Sequence, residues 1–198
     1  MRPARHLVIF LKAPIRGAAK TRLAKAIGRG AAWRFYRDTS LRTVRELAGD
    51  PRWTCWLAVT PESFASRGRF WPANVSRLGQ GGGDLGARMA RPLRRFAAAP
   101  VVIVGSDIPD LRRRHIAVAF RALGRNHAVF GPASDGGYWL IGLAPRAAIR
   151  DPFGAVPWST DRALAETRAN LPRRYRVVLL ETLDDIDDGD AWRRWRAG

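Results

Sequence analysis

Carboxylates and cations set among glycines are the residues of this sequence best suited to chemistry. Gly105-Ser106-Asp107-Ile108-Pro109-Asp110-Leu111 follows the apolar run Val101–Val104. An acid directly after a buried strand is well placed to hold Mg2+ or Mn2+ against phosphate oxygens. Asp107 is therefore the candidate metal ligand, and Asp110 is expected to cap the following helix or to support Asp107 from behind. Near the N-terminus, Lys12-Ala13-Pro14-Ile15-Arg16-Gly17 continues through Lys20-Thr21-Arg22-Leu23. Cations leading into a helix suit phosphate groups, although the glycine spacing is not that of a Walker A loop and a merely solvated basic loop would look similar.

Three further loops carry weaker signals. Gly131-Pro132-Ala133-Ser134-Asp135-Gly136-Gly137-Tyr138 allows close backbone approach to a ligand, but Asp-Gly is also the commonest hairpin signal. Gln80-Gly81-Gly82-Gly83-Asp84-Leu85-Gly86 either passes close to a base or ribose or simply connects, with Asp84 a candidate helix cap. Glu181 to Asp190 is an acidic run of the kind found in solvated turns and helix starts, and it could supply a further metal ligand. Ten of the 17 acids fall in these three loops and the Gly105–Leu111 loop together. His6, His115 and His127 have no paired Ser or Cys motif and no metal-type spacing, which argues against a triad hydrolase or a His-based metal site.

The elements needed to position these loops follow from hydrophobic pattern. Leu7–Leu11, Trp53–Val59, Val101–Val104, Ala128–Phe130, Tyr138–Ile141 and Arg176–Leu180 read as strands. About Ala31 to Leu47, Asp84 to Phe96, His115–Leu123, Ala163–Leu171 and Asp190–Arg196 read as helices, and residues 61–74 as a short helix or loop. Alternation of strand and helix predicts an α/β three-layer sandwich with a mainly parallel sheet, whose ligands bind beyond the carboxyl ends of the strands.

Composition bounds the remaining classes. The chain has 198 residues, room for a single domain spanning 1–198. It carries 35 basic and 17 acidic residues, a net charge of +18, which attracts anions of many kinds. Only Lys12, Lys20 and Lys25 are lysine, and the arginines are scattered without a basic tail, a pattern of solvated surface more than of a nucleic-acid footprint. Cys55 is the single cysteine, so it forms no intramolecular disulfide and reads as a buried, inert thiol. No apolar stretch approaches the ~20 residues of a membrane span, and the expected location is a reducing cytoplasm.

In their order the motifs resemble the bacterial family called rSAM/selenodomain-associated transferase 1, which is similar to nucleotide-diphospho-sugar transferases of the GT-A, Rossmann-like fold. The blocks are Lys12-Ala-Pro with Gly17 and Lys20-Thr-Arg-Leu23; Gln80 to Gly86 with Arg88-Met89; Gly105 to Leu111; Gly131 to Tyr138 with Leu140-Ile-Gly-Leu143; and Pro157-Trp-Ser-Thr160, closed by Leu183-Asp-Asp-Ile-Asp187. Ile108 departs from the small residue or Cys expected there, and Asp185 and Asp188 make the closing motif more acidic. The resemblance implies a nucleotide bound by Lys12, Ala13, Pro14, Gly17, Lys20, Arg22, Gln80, Gly82 and Asp84. It implies Mg2+ or Mn2+ on Asp107, with Asp135 or Asp187 as second ligand. Asp135, Gly136, Gly137, Trp158, Ser159 and Thr160 would face a small-molecule acceptor. The catalytic set would be Asp107, Asp135 as base and Lys20 as charge stabiliser.

Three readings result. The first is a metal-dependent glycosyltransferase acting on a nucleotide-diphospho-sugar. The second is a nucleotidyltransferase that moves an NMP group from an NTP to a phosphate or carboxylate and releases pyrophosphate. The third, a non-catalytic basic nucleic-acid-binding module, explains the charge but leaves the Asp and Gly loops without a task.

Overall fold

Strands buried on both faces cannot alternate polar with apolar residues, and the central segments of this chain do not. In the computed structural model, which describes residues 4–17, 19–67, 70–145, 147 and 151–197, β1 (His6–Lys12), β2 (Thr54–Thr60), β3 (Ser76–Gly79), β4 (Val101–Gly105), β5 (Ala128–Pro132), β6 (Tyr138–Leu143) and β7 (Val177–Leu179) form one sheet in the order β3-β2-β1-β4-β6-β5-β7. β1 pairs parallel with β2 and β4, β2 with β3, and β5 with β7. Only β6 is reversed, antiparallel to both β4 and β5. The carboxyl ends of the other strands therefore emerge on one side.

Side chains of β1 divide between two cores. Leu7, Ile9 and Leu11 pack with Val44 and Leu47 of α2 (Arg29–Ala48) and with Ile116 and Phe120 of α5 (Arg113–Leu123). Val8 packs on the opposite face with Met89 and Leu93 of α4 (Leu85–Arg95), and Leu164 of α6 (Ala163–Ala169) joins that side. These are the three layers expected from the sequence. A small satellite core joins Leu23 of α1 (Thr21–Ile27), Ala32 of α2, Ile186 and Ala191 of α7 (Gly189–Ala197). α3 (Ser63–Arg67) occupies part of the 61–74 stretch, of which residues 68 and 69 lie outside the described set. No helix among the described residues is long and apolar enough to cross a membrane.

Several local expectations change. α1 and β3 have no strong apolar pattern: α1 buries Leu23 alone, and β3 is a half-buried edge strand, Ser-Arg-Leu-Gly. Asp110 does not cap α5. Arg112 stands at the cap position, and its backbone N–H donates to Nδ1 of His115 at 3.0 Å. Asp84 does cap α4, accepting from the N–H of Ala87 at 2.8 Å. The 133–137 segment is the turn of the β5–β6 hairpin.

Cys55 on β2 is 8% exposed, and burial pushes its thiol up to about 12. Only the thiolate attacks. Native protein is expected to react with a disulfide reagent no faster than it unfolds, as a labelling rate matched to an unfolding rate would show.

Candidate active site

Polar groups under the sheet's carboxyl edge hold the loops in place. The N–H of Lys12 donates to Oη of Tyr36 at 2.8 Å, and that hydroxyl donates to the Lys12 carbonyl, also at 2.8 Å. Oγ of Ser40 lies 3.1 Å from Oγ of Ser106. Two buried hydroxyls of α2 thus fix where β1 and β4 end. Burial, with the nearby Asp107 charge, raises the Tyr36 hydroxyl above its ordinary range, so it stays a donor.

After β7 the chain lays its acids along this edge. The Leu180 N–H donates to the Phe130 carbonyl at 2.8 Å, Leu183 to Pro132 at 3.1 Å, and Ile186 to Asp107 at 3.3 Å. Nε1 of Trp139 donates to the Glu181 carbonyl at 3.1 Å. Asp184 accepts from the Ser134 N–H at 2.9 Å, and Asp188 caps α7 through the Asp190 and Ala191 N–H groups. Asp185 and Asp187 are left to face Lys20.

Lys20 is the pivot. It precedes α1 in left-handed backbone (φ 56), a conformation costly for a residue with a side chain. Its ammonium is 2.6 Å from Oδ2 of Asp107, 3.3 Å from Oδ1 of Asp187 and 3.9 Å from Oδ2 of Asp185. The side chain is only 4% exposed. Burial alone would lower its pKa; the three carboxylates outweigh that and hold it above the usual lysine range. Asp185 moves the other way. Burial and the charges of Asp107 and Asp187, opposed by Lys20, push it up to about 6.

Beside this cluster a cavity of about 550 Å3 opens between β4, β6 and the 157–161 segment. Its floor is apolar, with Phe10, Ile103 and Ile141, and its rim holds Asp107, Asp135 and Asp187. Of the sequence-derived candidates, Arg22, Asp107, Asp135, Gly137, Trp158, Ser159, Thr160 and Asp187 line it, while Lys12, Ala13, Pro14, Gly17, Lys20, Gln80, Gly82, Asp84 and Gly136 do not. Gln80 is 4% exposed, and its amide nitrogen donates to the carbonyls of Leu11 (3.1 Å) and Ala58 (2.8 Å). It ties β1 to β2 from within. The Pro14 carbonyl accepts from Nε1 of Trp33 at 2.7 Å. Lys12 and Gly82 are exposed.

Asp161, Asp184 and Arg194 also line the cavity. Asp184 belongs to the acidic run read from the sequence, whereas no local signal marks Asp161, at the start of the α6 region, or Arg194, in α7. Gly136 ties the hairpin turn to that region. It has φ +82, a methyl there would collide with the Asp161 carbonyl, and its own carbonyl accepts from the Leu164 N–H at 3.0 Å. Gly136→Ala is expected to cost about 2 kcal/mol or more, read from urea denaturation. Asp185 gives a pH signature. Its raised pKa means that the fold prefers the protonated carboxyl, so its stability contribution falls as pH rises from about 4 to about 6. Asp185→Asn is expected to melt above the parent protein at neutral pH, and the difference should vanish near pH 4.

Comparison with known proteins now has a geometry to refer to. No curated protein matches the chain. A solved structure from Desulfovibrio desulfuricans G20, described as a candidate nucleotide-diphospho-sugar transferase, is 28% identical with a TM-score of 0.82, over 93% of this chain and 82% of that one. The 4-diphosphocytidyl-2C-methyl-D-erythritol synthase of Anaerococcus prevotii DSM 20548 is 12% identical (TM-score 0.61; 98% and 97% of the two chains). Rv0371c of Mycobacterium tuberculosis H37Rv in complex with manganese is 16% identical (TM-score 0.53; 97% of each chain). The last two share the fold. The fold is thus the Rossmann-like one of nucleotide-diphospho-sugar transferases, as the motif order implied. A family model described as "Uncharacterized protein conserved in bacteria (DUF2064)" matches residues 43–160. That match takes in Asp107, the 131–138 hairpin and the Pro157-Trp-Ser-Thr160 block, and the chain belongs to this DUF2064 family.

Proposed function

We propose that the protein is a nucleotide-dependent transferase that moves a sugar from a nucleotide-diphospho-sugar to a small-molecule acceptor. The observation that carries this reading is the position of Asp107 at the carboxyl end of β4, on the rim of a cavity of about 550 Å3, a size in the range of small-molecule sites. The 28% likeness to the Desulfovibrio protein supports it. Arg22, 68% exposed at the side chain and 3.6 Å from Asp187, stands at the rim as an accessible cation for phosphate. Lys12, on the outer end of β1, would extend the same basic side.

The acceptor would lie on the apolar floor against Trp158, Ser159 and Thr160. Its hydroxyl oxygen attacks the anomeric carbon, the bond from that carbon to the diphosphate oxygen breaks, and the nucleoside diphosphate leaves. Asp135 takes the hydroxyl proton. Ser159 has φ 64, a second non-glycine residue in left-handed backbone at this site. Strain of this kind is kept where a wall must hold one shape.

The oxygen donors of Asp107 and Asp187 suit Mg2+ or Mn2+, and the Lys20 ammonium already marks a point where a positive charge is at home. Asp107, with Asp187 or Asp135, would hold the ion, which when bound would supply electrostatic stabilisation of the departing diphosphate. A second reading, nucleotidyl transfer from an NTP with release of pyrophosphate, draws on Arg22 and the fold shared with the Anaerococcus cytidyl-transferring enzyme.

A thermal-shift screen of nucleotides and sugar nucleotides, with and without Mn2+, is expected to show stabilisation by a nucleoside diphosphate or its sugar. Turnover should release nucleoside diphosphate; release of pyrophosphate would establish the second reading. Asp107→Asn is expected to lower turnover about a hundredfold, near 3 kcal/mol of barrier, with an unchanged circular dichroism spectrum.

A further inference from the structure

In the ligand-free fold Lys20 already has its ammonium engaged by carboxylates. Its side chain is 4% exposed, its nitrogen is 2.6 Å from Asp107, and two more carboxylates stand at 3.3 and 3.9 Å. The cation position among these acids is filled by the protein itself. Correspondingly, no group of three or more acids, histidines or cysteines among the described residues is spaced to hold a metal ion. The carboxylates are spread around an ammonium.

We infer that Lys20 is the resident counter-cation of Asp107, Asp185 and Asp187, and that it excludes a divalent ion from them in the ligand-free protein. The inference rests on the proposed metal dependence only in taking Asp107 as the ligand. Its physical basis is occupancy and charge. An ammonium in contact with Asp107 occupies the side from which Asp187 also presents an oxygen, and two cations sharing that space would repel each other strongly in a partly desolvated site. The backbone is set for this role. Lys20 is held in left-handed conformation at the start of α1, where its carbonyl accepts from the Ala24 N–H at 2.9 Å. Arg22 adds a second, more exposed cation 3.6 Å from the other oxygen of Asp187. Three acids balanced by these two side chains leave little net attraction for a third positive charge.

The test is Mn2+ binding without nucleotide, followed by electron paramagnetic resonance of the free ion and by melting temperature. The parent protein is expected to bind Mn2+ weakly and to melt at the same temperature with or without it. Lys20→Met should bind at least tenfold more tightly and melt higher in Mn2+. If Lys20→Met is too unstable to fold alone, refolding it in Mn2+ should restore the native spectrum, since an ion that binds only the folded chain stabilises it. Lys25→Met, a loss of an exposed lysine on α1, should behave as the parent. Parent binding as tight as that of Lys20→Met would overturn the inference, as would failure of Mn2+ to bind or rescue Lys20→Met. A parent protein that nevertheless gains melting temperature from a sugar nucleotide would leave the transferase reading standing in either case.

Discussion

A lysine ammonium leaves water only if negative charge replaces its hydration, and the Lys20 ammonium has left it. The partners come from three places in the chain: the end of β4, and two positions in a tail more than 160 residues away from Lys20. Meeting that requirement pins the first loop to the central strand and the C-terminal segment to both. The backbone bond from Ile186 to Asp107 and the small core of Leu23, Ile186 and Ala191 follow from the same closure. Removing the lysine would leave three carboxylates without their shared counter-charge, so the set depends on Lys20 more than on any single acid.

Most of the sheet is legible in the sequence because apolar runs and glycine turns are local facts. β1, β2 and β4 are continuous apolar runs, the β5–β6 hairpin announces itself through Asp135-Gly136, and the Asp84 cap is read directly before its helix. β3 escapes because an edge strand pairing only with β2 can be polar, and α1 escapes because one leucine suffices to dock it. The site divides similarly. Asp107 is expected where it is found, since the end of a buried strand is a place that sequence can locate. The burial of Lys20 and Gln80 depends on groups far away in sequence, and no spacing rule encodes it.

The charge balance also acquires a spatial meaning. Many arginines lie against aromatic faces, as Arg16 and Arg37 do over Trp33 at 4.9 and 4.8 Å, and Arg52 over Trp53 at 5.0 Å. Their guanidinium groups rest on the ring faces, a cation–π arrangement that occupies them at the surface. The scarcer acids instead converge on one cavity. A protein of net charge +18 therefore presents a locally acidic opening, with Arg22 and Arg194 as the cations at its rim among the described residues.

The reversal of β6 has a consequence for how such a protein can diversify. Because β5 turns straight back into β6, Asp135, Gly136 and Gly137 sit in one short turn, tied to the 161–164 segment through Gly136 and to the tail through Ser134 and Asp184. The opposite wall is assembled from the first loop, β4 and the tail, three segments that must change together or not at all. One side of the opening is thus local in sequence apart from Gly136 and the Asp184 tie, while the other depends on three distant segments at once. Substitution at the Lys20 constellation should therefore be rarer among relatives than at hairpin positions that make no tie to a neighbouring segment.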